Sequence, residues 1–322
     1  MASSPPVGVL LMTYGSAVTA DDVPAYLRSV YRGKDPDPEL VAEFQRRYRL
    51  VGRSPLIDRT REQGAALAEL LAAEHGQGGY LVEVGMLHSS PWIDEAVERL
   101  ADAGVRRVVG IVLAPQFSAL IMGGYGRALD AAAARLAPDA LVTVAGPWHR
   151  TPAFLDCLAN RVEEARDRLA AAGEPDAPVI FTAHSLPKPV VERDTAYLDQ
   201  LAETCEELAA RTGLDRDRWQ FAYQSAGHTP EEWLKPDLKD LLPGLRADGH
   251  RAVLVVPVQF LADHLEILYD LDVAARQEAE EAGIAFHRIE LPNTQPAFIG
   301  ALAEVVHRER SPRSSDLRGS LR

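Results

Sequence analysis

The chain has 322 residues, 47% hydrophobic and 25% charged, the composition of a folded globular protein with room for two domains of ordinary size. Its net charge of −13 excludes a nucleic-acid partner and electrostatic docking on an anionic membrane, since both need clustered Lys and Arg. No apolar run reaches the roughly 18 residues that span a bilayer, and two cysteines, Cys157 and Cys205, are too few for a disulfide framework or a four-thiolate cluster.

The first apolar run, in MASSPPVGVLLMTYG, has no basic stretch ahead of it and reads as a strand, not a leader, so the cytoplasm is the expected address. TREQGAALAELLAAE follows with helical spacing, then the strand YLVEVGM, the helix PWIDEAVERLADAG, and the strands RVVGIVLAP and LVTVAG. A break at GPWHRTPAF, between Pro147 and Pro152, precedes the helix LANRVEEARDRLAAAG and the strand PVIFTAH. The helix DQLAETCEELAARTG and the strands WQFAYQS, AVLVVPV and AFHRIEL complete the pattern. Gly104 and Gly173 stand where a glycine closes a helix.

Short Val/Ile/Leu-rich strands alternating with longer helices predict an α/β fold. The strands fall into two groups of four, so the expectation is two similar doubly wound, Rossmann-like domains. Residues 1–150 and 151–309 would each carry a parallel four-stranded sheet, the two facing a central cleft. The polar, aperiodic segment 310–322 is expected to be a disordered tail.

Ligands of such sheets bind beyond the carboxyl ends of the strands. Those ends carry Tyr14, His88, Gln116, His184, Gln224 and the run QFLADHLEILYDLD. No GxGxxG follows the first strand, and there is no GxSxG, Walker loop or HExxH. Tyrosine, histidine, glutamine and carboxylates point to metal and proton-transfer chemistry. Each position also has a plainer reading. His184 fits a structural turn histidine. Tyr14 fits a packing residue with its hydroxyl tied to backbone. Arg46, Arg47 and Arg49 fit an exposed helix face, and Ser54-Pro55 an N-cap with the first helical residue. Trp148, Trp219 and Trp233 fit core or interdomain packing. On a helix, His264 and Glu266 would point in opposite directions, whereas Glu266 and Asp270 would share one acidic face.

Taken together, from about Val7 to Val306, the chain resembles the ferrochelatases. The resemblance rests on LLMTYGS, RGKDPDPELVAEFQRRY, RSPL, VLAPQFS, FTAHSLP, YQSAGHTPEEWLKPD and VPVQFLADHLEILYDLD in that order. MTYG and DHLEILYDLD are most similar to the coproporphyrin III ferrochelatases of Gram-positive-type haem synthesis. The resemblance implies an enzyme that inserts Fe2+, its substrate, into coproporphyrin III to give coprohaem. Protoporphyrin IX as substrate, a cobalt or nickel chelatase of the same superfamily, and a non-catalytic haem or porphyrin carrier are the alternatives. It implies further that His184 faces the metal and takes pyrrole protons, that Glu266 lies opposite it, and that Tyr14 binds iron from the other porphyrin face. Arg47, Tyr48, Ser54 and Tyr125 would hold the macrocycle and its propionates, with Tyr31 standing where an arginine is usual. The N-terminal domain would be the porphyrin side and the C-terminal domain the metal side.

The chain departs from the family pattern at Gln116 for a histidine, Gln259 for a glycine, Leu87 for a lysine beside the retained His88, and Ala274 for a glutamate. No resident cofactor is expected. An iron–sulfur cluster, present in some members on a cysteine-bearing C-terminal segment, is not expected either, because the end of this chain has no cysteine. A monomer is expected.

Overall fold

Burial on both faces is what turns a continuous Val/Leu/Ile run into a parallel strand, and the computed structural model, which describes residues 5–116, 118–193, 195–227 and 231–310, contains two sheets built this way. The first holds β1 (Val7–Thr13), β2 (Tyr80–Met86), β3 (Arg107–Val112) and β4 (Leu141–Val144) in the order β2-β1-β3-β4. The second holds β5 (Val179–His184), β6 (Trp219–Gln224), β7 (Ala252–Pro257) and β8 (Ala285–Arg288) in the order β6-β5-β7-β8. All pairings are parallel, and the two orders are the same pattern repeated. β1 and β5, each central and each first in its half, therefore deliver Tyr14 and His184 to corresponding points, at or just past their carboxyl ends.

Between β1 and β2 lie α1 (Val23–Val30), α2 (Pro38–Val51) and α3 (Leu56–His75). The first half continues with α4 (Ile93–Asp102) and α5 (Ala119–Ala133), and α6 (Pro152–Ala171) leads into the second. There follow α7 (Lys188–Val191), α8 (Ala196–Arg211), α9 (Leu238–Ala247), a π-helical segment Ile267–Ala275 that runs into α10 (Arg276–Glu281), and α11 (Pro296–Arg310). Gly104 and Gly173 follow α4 and α6 at φ 73° and 89°, the left-handed conformation that lets a helix end without a Cβ penalty.

A boundary near residue 150 separates the two sheets but not the core. One buried cluster runs from Val9, Leu11, Leu67 and Ile111 through Trp148, Phe154 and Leu158 to Phe181, Leu254 and Phe298. Trp148 sits at the joint, its Nε1 donating to Val112 O at 3.1 Å and its ring 5.1 Å from Phe154 and 6.4 Å from Phe298. α11 comes last in the chain yet packs on α3 and β3 of the first half as well as on α6. It extends to Arg310, so the tail expected from 310 starts no earlier than residue 311; residues 311–322 lie outside the described residues.

Gln116 joins the halves a second time. Fully buried, it donates from Nε2 to Thr204 Oγ1 at 3.1 Å and to Val258 O at 3.4 Å, so this departure from the family pattern acts in the interior between the halves.

Candidate active site

His184 ends β5 and is held from several directions. Its backbone N–H donates to Gln259 Oε1 at 3.1 Å, and its carbonyl accepts from the Tyr197 hydroxyl at 3.1 Å. Tyr197 also reaches Gln259 Oε1 at 3.1 Å. Gln259, the second departure, thus clamps the strand end where a glycine would offer nothing. The His184 Nδ1 lies 2.5 Å from Ser185 O. A carbonyl only accepts, so Nδ1 carries a proton, and in the neutral ring Nε2 presents its lone pair to the cleft. Glu266 Oε2 stands 3.7 Å from that Nε2. The Phe260 and Trp233 rings flank the imidazole, each centroid 6.4 Å away, so Trp233 is a wall of the site and not a core residue.

His264 overturns one expectation. Its Nε2 also lies 3.7 Å from Glu266 Oε2, so both residues face the same place. The two-apart rule fails because residues 261–264 are not yet helical. The imidazole is turned instead by its Nδ1 bond to Ala262 O at 2.9 Å. Burial opposes protonation of His264, but the hydrogen bond and charge of Glu266 outweigh it and raise its pKa. Glu266 responds in kind: burial pushes its carboxyl up, yet His184, His264 and Arg47 together hold it at about 2. The carboxylate is therefore ionised at any working pH.

Asp270 shares the Glu266 face, as the spacing suggested, and goes the other way. Burial and the Glu266 charge raise its carboxyl to about 6, against the Ser225 hydroxyl and the charges of Arg47 and His184. Ser225 Oγ donates to Asp270 at 2.5 Å. Ser225 follows β6 at φ 57°, a left-handed conformation that is strained in a non-glycine residue. Strain and π-helical winding both gather here, at the acidic wall of the cleft.

The first half supplies the opposite wall. Tyr14, 45% exposed, stacks on His88 with centroids 4.5 Å apart, and His88 Nδ1 is 3.1 Å from Ser29 Oγ. Burial, then the Glu266 charge, then Tyr31 raise the Tyr14 pKa, which keeps it a neutral phenol. Tyr31 is 44% exposed at the end of α1. Arg47 on α2 pairs with Glu43 at 2.9 Å and with Asp270 at 3.7 Å, and lies 4.9 Å over the Tyr269 ring. It bridges the rims of the two halves.

Tyr48, Ser54 and Tyr125 are not exposed to the cleft. The Tyr48 hydroxyl donates to Ala17 O at 2.8 Å and meets Ser16 Oγ at 2.9 Å; burial pushes its pKa up to about 12. Ser54 accepts from Ser16 Oγ at 2.9 Å and is not a helix cap: Pro55 holds the N-cap position of α3 without a side-chain bond. Tyr125 is buried against Met12, Met122 and Leu129. All three are buried in this structure. Sequence reasoning passed over His264, Ser225 and Trp233 as site residues. It also passed over Tyr26, whose buried phenol is raised further by its neighbours Tyr14, Tyr48 and Glu266. For Ser225 the available signal was its place just past β6; Tyr26, inside α1, offered none.

A sequence model described as Ferrochelatase matches residues 6–310. The chain is 37% identical over 311 residues to the ferrochelatase of Deinococcus radiodurans, covering 96% of this chain and 98% of that protein. It is 37% identical over 301 residues to the coproporphyrin III ferrochelatase of Geobacillus kaustophilus, covering 93% and 94%. Its fold is similar to that of a solved structure, the sirohydrochlorin chelatase SirB from Bacillus subtilis in complex with cobalt, at a TM-score of 0.55, 13% identity and 94% coverage of both chains.

Proposed function

The chain belongs to the ferrochelatase family and is a metal-chelating enzyme of haem biosynthesis, and on that premise we propose that it inserts Fe2+ into coproporphyrin III, with His184 and Glu266 facing the metal and Tyr14 on the far side of the ring. The observation that carries the reading is the convergence of His184 Nε2 and His264 Nε2 on one Glu266 oxygen, each at 3.7 Å.

Insertion needs Fe2+ stripped of water and two pyrrole protons removed from a bent ring. His184 suits the base, because its Nδ1 proton is committed to Ser185 and its Nε2 lone pair is free. Glu266 suits the counter-charge. His264 keeps it ionised, so it can neutralise the arriving cation without itself taking a proton. Imidazole and carboxylate bind Fe2+ well enough to receive it and, unlike a set of thiolates, weakly enough to release it. Asp270, poised near 6, suits a relay that carries protons outward along the acidic face.

Four propionates keep coproporphyrin water-soluble, in accord with a described chain in which no helix is long and apolar enough to cross a membrane. We read Arg47 and Tyr31 at the cleft rim as groups that meet propionates, and the enzyme as a cytoplasmic monomer. An iron–sulfur cluster does not suit the thiols: Cys157 and Cys205 are buried, and burial raises both, Cys157 to about 11. The test is anaerobic metallation followed by absorption. A kcat/KM higher for coproporphyrin III than for protoporphyrin IX is expected. Equal values, or the reverse order, would remove the substrate assignment and leave chelation standing.

A further inference from the structure

Away from the cleft, the last residues of α3 meet the last turn of α11. Three metal-binding side chains converge there. His75 Nε2 is 3.0 Å from His307 Nε2, and Glu74 Oε2 lies 3.2 Å from the His307 nitrogen and 3.8 Å from the His75 nitrogen. We propose that Glu74, His75 and His307 bind a divalent cation of the zinc class that fastens the last helix of the chain to the first half.

The spacing is the first argument. A circle through three points separated by 3.0, 3.2 and 3.8 Å has a radius of about 2.0 Å, the length of zinc–imidazole and zinc–carboxylate bonds. An ion at 2.0–2.1 Å from all three stands just off their plane, as in a tetrahedral site whose fourth corner is open to water. All three side chains are 32–40% exposed, so water reaches that corner. Chemistry is the second argument. Two imidazole nitrogens 3.0 Å apart cannot both carry a proton, so at least one bare lone pair faces the other ring and the carboxylate. Two neutral imidazoles and one carboxylate form a donor set suited to Zn2+ and its neighbours.

Position is the third. Carbonyls left unpaired at helix carboxyl ends favour a cation, and two such ends meet here. The His75 ring is fixed by Tyr80, 5.1 Å away, and Tyr80 in turn accepts from Arg310 at 3.0 Å. The ligands belong to residues 74–75, at the end of α3 in the first half, and to residue 307 in α11. A bound ion would thus tie α11 to α3 across the boundary between the halves.

The experiment titrates Zn2+ into the full chain and into His75→Ala, His307→Ala and His184→Ala, reading stoichiometry by calorimetry and the thermal midpoint in parallel. His75→Ala and His307→Ala should each lose one equivalent that His184→Ala keeps. Iron insertion by His307→Ala should stay within about twofold of the parent. Zn2+ at 100 times the dissociation constant of this site should raise the folding equilibrium constant about 100-fold more in the parent than in His307→Ala, and His184→Ala should keep the increment that His307→Ala loses. Should an alanine variant not fold, Glu74→Gln keeps the packing and reads the same loss. Unchanged stoichiometry in the His75 and His307 variants, or loss confined to His184→Ala, would overturn the proposal.

Discussion

At the scale of single residues, the cleft depends on how four ionisable groups set one another. His184→Ala removes the free Nε2 lone pair while leaving the Phe260 and Trp233 walls in place. Turnover should fall at least ~100-fold, the lower range for loss of a general base, with porphyrin binding retained in a fluorescence titration. A loss under about tenfold, ~1.4 kcal/mol, would reject the assignment. His264→Phe removes a hydrogen-bonding partner that helps hold Glu266 at about 2, so its carboxyl should rise and the acid limb of the kcat/KM profile should move to higher pH. Asp270 gives a stability prediction of definite sign. Its folded pKa is raised, so its contribution is full below the unfolded value near 3.8 and is lost as pH climbs through about 6. Asp270→Asn should match the parent in urea unfolding near pH 4 and exceed it at pH 7–8, by on the order of 3 kcal/mol at most. Of this set, His184, Glu266 and Asp270 were legible because each sits at a strand end or on one helical face. His264 was not, because its direction is set by a loop carbonyl, Ala262 O, which carries no periodic signal.

The elements were legible wherever burial imposes a period. All eight strands occur where short strand-like runs stand, six of them rich in Val, Ile or Leu, and α3, α4, α6 and α8 where apolar residues recur at helical spacing. Pattern could not foretell the π-helical winding of Ile267–Ala275, since neighbouring helical periods share much the same apolar stripe. Nor could it foretell the use of Gln259, whose side chain serves both the His184 N–H and the Tyr197 hydroxyl. Gln259→Ala strands the His184 N–H, while Tyr197 keeps its bond to His184 O, and a buried unsatisfied donor costs ~1–3 kcal/mol. The midpoint of urea unfolding should fall accordingly. The variant should also lose kcat more than KM, because the clamp sets the direction of His184 and not the fit of the porphyrin.

At the scale of the molecule, the two sheets share one core. α11 packs on both halves, and Trp148, Phe154 and Phe298 stack across the joint. Unfolding should therefore be one transition, with tryptophan fluorescence and far-ultraviolet circular dichroism giving coincident curves. Phe298→Ala should cost ~3–5 kcal/mol and move both curves together. Two separated transitions would show that the halves are independent.

Sequence alone determined the α/β class, the two strand quartets and the candidates at their carboxyl ends, because strand burial and helix amphipathicity are written in local periodicity. The tertiary structure decided which candidates share a site. It turned His264 inward, put Tyr48, Ser54 and Tyr125 behind the cleft wall, and placed Trp233 beside His184. It also brought residues 74–75 to within bonding distance of residue 307. Apart from His264, which a neighbouring carbonyl turns, these outcomes rest on contacts between segments distant in the chain, and no local spacing encodes the direction of a side chain across such a contact.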